Sequence, residues 1–140
     1  MPGQVATGIN TFEITELQVV ETGGGELNNI VDQNEQFRLK AHVVGSGTNW
    51  TNYKNTGCKV RARFYADGMG PNVTDHDFGV VFAPMQDDFW IETALISVNQ
   101  EGIFRCGVVA NLFDSTQAIA MTGYVAYNEN CPLQVNPHEE

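Results

Sequence analysis

Positive charge is scarce in this sequence: seven Lys and Arg residues stand against 17 Asp and Glu residues, and the formal net charge is -10. A field of this sign repels phosphate backbones and anionic lipids, so neither nucleic-acid binding nor membrane binding is expected. No window approaches the roughly 18 apolar residues of a membrane helix. The first residues form no basic segment followed by an apolar run, so the sequence predicts no signal peptide and a soluble protein, cytoplasmic or virion-associated.

Cysteine is scarce as well. The three cysteines, Cys58, Cys106 and Cys131, are too few and too scattered for a disulfide framework, so free thiols are expected, with room for one disulfide at most. Metal-binding CxxC and HxxxH spacings are missing, and so are the GxSxG, HExxH and Gly-rich phosphate-loop motifs. The sequence therefore predicts no cofactor, no catalytic residues and no enzymatic activity.

Hydrophobic residues recur mainly with a period of two, in short runs separated by Gly, Asn, Asp and Pro. This period predicts β-strands rather than helices. The predicted strands cover about 12–21, 35–44, 58–66, 78–83, 89–98, 103–111 and 119–127. Segment 45–57 is predicted to be a polar loop, and all five prolines fall outside the predicted strands, as a hydrogen-bonded sheet favours.

The length of 140 residues fits one domain, and no repeat or linker divides it. We therefore expect a single domain over 1–140, with flexible ends at about 1–10 and 132–140. Seven short strands at regular spacing predict an all-β fold, a sandwich of two antiparallel sheets. A jelly roll is the alternative, because the same period and turn signals would serve it.

The order of these strands resembles immunoglobulin-like modules of the divergent bacterial and viral kind. Phe104 and Cys106 lie in the next-to-last predicted strand, where such folds place an aromatic residue two positions before the inter-sheet cysteine. The chain departs from antibody domains, because Leu39 and Ala41 stand where the partner cysteine would lie and Phe104 has no hydroxyl group. The resemblance implies an immunoglobulin-like sandwich that serves adhesion, decoration or assembly.

Basic residues alternate along the strand at 58–66 and point away from its apolar side chains. In an immunoglobulin-like fold the strand at 103–111 is its neighbour, so one stripe would contain Lys59, Arg61, Arg63, Tyr65 and Arg105. Such charges either keep a sheet face soluble or dock a protein partner or a second copy, by association that weakens as salt rises. We expect a non-catalytic interaction module, a subunit of a larger assembly such as a virion or surface structure.

The stretch from 67 to 77 is rich in oxygen ligands. Calcium takes six to eight oxygen atoms, and four could come from Asp67, Asn72, Asp75 and Asp77. The spacing matches no EF-hand, and a tight connection between strands uses the same residue types for backbone reasons. With Trp50 and Tyr53 as stacking residues, the alternative function is a calcium-assisted carbohydrate-binding module with a glycan as its partner.

Overall fold

The computed structural model describes residues 10–22 and 29–137. These residues form eight strands and one helix. Their bounds are β1 Thr11–Glu21, β2 Ile30–Asp32, β3 Phe37–Ser46, α1 Thr48–Asn55, β4 Lys59–Gly68, β5 His76–Pro84, β6 Asp88–Glu92, β7 Gly102–Phe113 and β8 Ala120–Asn136. Within the described ranges, no helix has the length and apolar character needed to cross a bilayer.

The strands form two sheets, one with the order β1-β3-β6 and one with the order β2-β8-β7-β4-β5. All pairs are antiparallel except β2 with β8, which is parallel. When β1, β3 and β6 are assigned as strands A, B and E, and β4, β7 and β8 as C, F and G, the order is that of the immunoglobulin fold, with β5 added beyond C. The predicted antiparallel sandwich is confirmed, with immunoglobulin-like rather than jelly-roll order.

The core lies between the two sheets and follows the predicted alternation. Successive side chains of a strand point to opposite faces, so every second residue of β3 and β4 can be apolar and buried. The inward residues of these two strands are all fully buried: Phe37, Leu39, Ala41, Val43, Val60, Ala62, Phe64 and Ala66. Face-to-face packing of two such sheets positions the remaining residues of each strand on an outer surface.

The segment predicted as a polar loop contains helix α1, which is a correction. Its sequence, TNWTNYKN, is poor in strong helix formers, so tertiary packing must hold it. Trp50 is fully buried, with its ring 5.3 Å from that of Phe12. A Cβ atom at Gly45 would lie 2.2 Å from the Trp50 ring, so glycine is needed there. The Asn10 side chain accepts the N–H groups of Asn49 and Trp50 at the start of the helix.

The last strand extends further than predicted. β8 runs to Asn136, and Leu133 and Val135 lie in the core, so residues 132–136 belong to the sheet rather than to a flexible end. Pro132 lies inside this strand, whereas every proline was expected outside one. Its carbonyl accepts a hydrogen bond from Asn29 on the side away from β7, so its nitrogen also points to that side and no ladder bond to β7 is lost.

Three smaller differences concern strand ends. β6 stops at Glu92, and of the predicted strand beyond it only Ile96 pairs, through an isolated bridge to Phe37. The short strand β2 was not predicted, and Pro84 is the last residue of β5. The flexible end expected at 1–10 lies outside the described residues apart from Asn10, as do residues 138–140.

Candidate functional site

The outer surface of the five-stranded sheet, called here the front face, gathers most of the predicted interaction residues. Its centre consists of two cross-strand rows running from β5 through β4 and β7 to β8. In register, these rows are Val80, Arg63, Val109 and Tyr127, and Phe82, Arg61, Asn111 and Val125. Directly opposite residues in antiparallel strands share a face, so each row forms a continuous surface.

The structure brings all five residues of the predicted stripe onto the front face. Those on β4 are Lys59, Arg61, Arg63 and Tyr65, and Arg105 follows on β7, paired in register with Asp67. The two strands are neighbours, as the immunoglobulin-like order predicted. The stripe is nevertheless not purely basic, because carboxylates lie among its guanidinium groups.

Two of the arginines have carboxylate partners on the same face. Arg63 donates to Asp77 at 2.5 Å, and a nitrogen of Arg105 lies 3.8 Å from an oxygen of Asp67. The hydrogen bond from Arg63 lowers the pKa of the exposed Asp77 carboxyl, and the backbone N–H of Gly79 adds to the effect. Lys59 and Arg61 form no ion pair with any residue in the described ranges.

Arg61 instead lies over an aromatic ring, with its guanidinium carbon 5.4 Å from the centre of the Phe113 ring. This contact holds the side chain flat on the sheet and leaves its positive charge at the surface. The front face therefore carries uncompensated positive charge at the Lys59 end of β4 and a mixture of both signs at the Asp67 end.

Tyr65 spans three strands of the front face. Its ring lies on Gly107 of β7, where a Cβ atom would come within 2.4 Å of a ring carbon, and its hydroxyl donates to Glu129 of β8. Burial, followed by the hydrogen bond to Glu129, raises the pKa of Tyr65, so the hydroxyl keeps its proton and acts as a donor. β8 carries a bulge here, since two residues, Glu129 and Asn130, lie opposite Gly107.

Exposed apolar side chains flank the arginines in both central rows. Val80 is 41% exposed, Val125 is 59% exposed and Tyr127 is 68% exposed. Surfaces that bind proteins are enriched in Tyr and Arg around an apolar centre and depleted in Lys and Glu there. The centre of the front face has this composition.

The stretch from 67 to 77 is a connection held by hydrogen bonds within it and to Gln100. A carboxylate oxygen of Asp75 accepts the N–H of Gly68 at 2.9 Å, and the carbonyl of Asn72 accepts a bond from the Gln100 side chain. A Cβ atom at Gly68 would meet the carbonyl oxygen of Val73 at 2.3 Å, so the loop folds tightly over this glycine. The described residues contain no group of three or more His, Cys, Asp or Glu side chains arranged to hold a metal ion.

The aromatic half of the predicted carbohydrate site lies far from this loop. Trp50 is fully buried, so its ring cannot stack on a sugar, and the Tyr53 ring packs edge-on against Tyr124 at 5.6 Å. Both belong to α1, which precedes the start of β4, whereas Asp67 is near the end of β4. Eight residues of strand separate these ends by roughly 26 Å, so the structure does not bring the two halves together.

The outer surface of the three-stranded sheet, called here the back face, carries an arrangement that the sequence did not reveal. Its outward residues include Thr15, Gln18, Arg38, Lys40, His42, Asp88 and Trp90. Thr15 and Asp88 each lie 2.6 Å from a ring nitrogen of His42. Trp90 stacks on His42 at 4.8 Å, and the Lys40 ammonium group lies 5.1 Å from the centre of the Trp90 ring.

This hydroxyl–imidazole–carboxylate chain contains the group types of a nucleophilic triad. It lies on an open sheet surface, whereas nucleophilic catalysis needs a concave site that holds a substrate and excludes water. The three residues are far apart in sequence, and only the pairing of β1, β3 and β6 brings them together. We interpret the chain as a structural contact that fixes the imidazole.

The solved structures that match this chain include a crystal structure of the CARDB domain of the PF1109 protein from Pyrococcus furiosus in complex with di-metal ions. The two sequences are 15% identical, and the match covers 91% of this chain and 87% of the CARDB domain, with a TM-score of 0.42. The solution NMR structure of the same domain is 16% identical, with coverages of 91% and 94% and a TM-score of 0.40. No family model and no curated protein matches the sequence.

Proposed function

We propose that this chain is a non-catalytic interaction module and that its front face binds the front face of a second copy. The observation that carries this proposal is the pair of central rows, in which exposed Val80, Val125 and Tyr127 alternate with Arg61 and Arg63. Burial of a large apolar side chain contributes about 1.5–3 kcal/mol, whereas an exposed ion pair contributes about 0–1 kcal/mol. The apolar residues therefore supply the affinity and the charges set the orientation.

The charge pattern favours a second copy over a uniformly acidic partner. At the Lys59 end of β4, Lys59 and Arg61 have no carboxylate partner among residues 10–22 and 29–137, and the opposite end carries Asp67, Asp77 and Glu129 around two arginines. A two-fold axis lying in the interface at right angles to β4 sets the basic end of each copy on the acidic end of the other. Such an isologous contact is the commonest arrangement in soluble homo-oligomers.

The front face is also large enough for a stable dimer. Four strands about 4.8 Å wide and about ten residues long, at about 3.3 Å per residue, cover roughly 600 Å² in projection. A standard interface buries about 800 Å² of accessible surface on each partner. Because side chains project from the sheet, the accessible area of the front face is larger than its projected area. An isologous contact closes as a dimer, so a virion or surface structure would need a second contact elsewhere on the molecule.

The experiment is light scattering behind a sizing column, over a range of protein concentrations and at low and high salt. We expect a dimer that dissociates on dilution and more readily at high salt, because part of its orientation energy is electrostatic. Tyr127→Asp replaces the most exposed apolar side chain of the two central rows by a charge and should yield a monomer at every concentration. Leu95→Asp is the matched control, because Leu95 is 40% exposed but lies in the connection after β6.

A wild-type monomer at all concentrations would overturn the proposal. Equal dissociation of the Tyr127 and Leu95 variants would also overturn it, since the effect would then come from added negative charge rather than from the front face. Circular dichroism of each variant establishes that the sandwich is intact before its mass is interpreted.

A further inference from the structure

We propose that Cys106 of β7 and Cys131 of β8 form a cross-strand disulfide when the folded protein meets a low-molecular-weight disulfide such as oxidised glutathione. The two residues are direct partners in the β7–β8 register and are free thiols in this structure. The inference concerns the core behind the front face and does not depend on the proposed dimer.

The backbone already holds the two cysteines at a distance that a disulfide can span. Directly opposite residues of an antiparallel pair have Cα atoms about 4.5–5.5 Å apart, and disulfides occur at Cα separations of about 4.4–6.8 Å. Opposite residues also share a face, and Cys106 and Cys131 are both buried on the core side. Closure therefore needs rotation of the side chains and little movement of the strands.

One of the two thiols is prepared to act as the nucleophile. The interaction between the two neighbouring thiols lowers the pKa of Cys131 and raises that of Cys106, and burial raises the pKa of Cys106 further. The amide nitrogen of Asn29 lies 3.9 Å from the Cys131 sulfur and stabilises negative charge on it. The thiolate is the attacking species in thiol–disulfide exchange, so Cys131 is expected to react first.

Cys131 also lies closer to the surface than its partner does. A cleft of about 400 Å³ has Cys131 in its lining, beside Glu129, Asn130 and Pro132, whereas Cys106 does not line it. The β8 bulge at Glu129 and Asn130 immediately precedes Cys131 and interrupts the ladder there. A small disulfide therefore reaches this sulfur through local opening of the bulged segment, without separation of the sheets.

The reaction is two successive exchanges. The Cys131 thiolate attacks one sulfur of glutathione disulfide, the S–S bond of that reagent breaks, and one glutathione thiolate leaves. Cys106 then loses its proton and attacks the Cys131 sulfur, which forms the protein disulfide and releases the second glutathione thiolate. The protein loses two electrons and two protons, and the small disulfide is reduced to two thiols.

Cys58 provides an internal control. It immediately precedes β4, whereas Cys106 pairs with Ala66, eight residues further along that strand. Eight residues of strand correspond to roughly 26 Å, which no disulfide can bridge in the folded protein. Cys58 is buried and should keep its thiol throughout.

The test uses the reduced full chain, incubated with glutathione disulfide under native conditions, quenched with acid and alkylated in denaturant. The expected product is two hydrogen atoms lighter than the reduced chain and takes one alkyl group, on Cys58, whereas the reduced chain takes three. Peptide mapping should recover a fragment that links Cys106 to Cys131. The closed loop of about 25 residues should raise the melting temperature by roughly 10 °C.

Two variants make the result decisive. Cys58→Ala should still close and should then take no alkyl group, while Cys106→Ala should stop at the glutathione adduct on Cys131. Three alkyl groups on the treated wild type would overturn the proposal, as would a stable glutathione adduct on the wild type or a cross-link that includes Cys58. Melting temperatures of both reduced variants confirm that they are folded under the reaction conditions.

Discussion

The front and back faces of the sandwich come from strands with the same alternating pattern, yet they use their outward side chains differently. On the back face, His42 joins Thr15 to Asp88, and Lys40 and His42 both pack on Trp90. On the front face, Val125 and Tyr127 project into solvent with well over half of their surface exposed. On the back face, contacts within the chain cover more than half of Trp90, which is 41% exposed, whereas the front face leaves larger fractions of Val125 and Tyr127 exposed.

This difference is the reason for proposing the front face, and not the back face, as the binding surface. Trp90 already packs on Lys40 and His42 and keeps a smaller exposed fraction than Val125 or Tyr127, and complete burial of an exposed large apolar side chain contributes about 1.5–3 kcal/mol. Polar and charged residues are therefore present on both faces, but the front face exposes Val80, Val125 and Tyr127 whereas the back face exposes part of Trp90.

The largest effect is expected at Gly107, which carries the Tyr65 ring. In Gly107→Val even the Cβ atom would lie 2.4 Å from a carbon of that ring, so the ring must move. Tyr65 then loses its hydrogen bond to Glu129. We expect the free energy of unfolding to fall by about 2–3 kcal/mol, measured by urea denaturation. The loss of unfolding free energy caused by Gly107→Val should be smaller in a Tyr65→Ala background. An equal loss in both backgrounds would contradict the contact between the Tyr65 ring and Gly107.

The second prediction reverses one charge on each face. Arg61→Glu should raise the dimer dissociation constant about tenfold, because a carboxylate would then meet the carboxylate-rich end of the second copy. Arg38→Glu makes the same change of charge on the back face and should leave the constant within about twofold. Sedimentation equilibrium measures both constants. Matching losses in the two variants would show that net charge, rather than the front face, controls association.

The third prediction concerns the internal contacts of the back face. His42→Ala removes two hydrogen bonds and the stack on Trp90, so we expect the free energy of unfolding to fall by about 1 kcal/mol. Self-association should not change. Gln18→Ala is a milder control on the same face, because it removes a single exposed hydrogen bond to Glu16. A dimer that weakens in the His42 variant would assign a binding role to the back face.

The smallest effect is expected for the exposed pair of Arg63 and Asp77. The pKa of the Asp77 carboxyl is lower in the folded protein than in the unfolded chain, where it is about 3.9, so the carboxylate stabilises the fold above that value. The contribution disappears as pH falls through the lower, folded pKa. Asp77→Asn should therefore be slightly less stable than wild type near neutral pH and equal to it at strongly acidic pH. A constant difference across this range would exclude the titration.

The strand pattern could be predicted where one face of a strand is apolar and the other is polar. Phe37, Leu39, Val60 and Phe64 all point inward as the period of two predicts, because burial on one side alone fixes the register. The same pattern placed the stripe residues on one outer face. These parts of the fold depend on local alternation, which a single sequence contains.

Helix α1 and the far half of β8 depend on contacts between distant parts of the chain. TNWTNYKN becomes helical because Trp50 fills a space beside Gly45 and Phe12, none of which its own composition indicates. The end of β8 follows a polar bulge and a proline, both of which look locally like a turn.

The candidate site divides in the same way: alternation within a strand could be predicted, but contacts between strands could not. The position of Arg63 on β4 followed from alternation, but its pairing with Asp77 depends on the register of β5. The contact between the Tyr65 ring and Gly107 likewise depends on the register of β7. The Thr15–His42–Asp88 chain joins three strands and could not be found without the order of the sheet. Pairs such as these are set by long-range register, which sequence spacing does not encode.

The parallel pairing of β2 with β8 has a consequence for biosynthesis. Val31 meets Val135 across about 100 residues of chain, so this contact can form only when nearly the whole domain has been translated. All strands of the three-stranded sheet have been synthesised once residue 92 is added, whereas the five-stranded sheet is complete only when residue 136 is added. Until then the edge of β7 has no neighbour on one side, and a nascent chain is at its most vulnerable to pairing with another polypeptide.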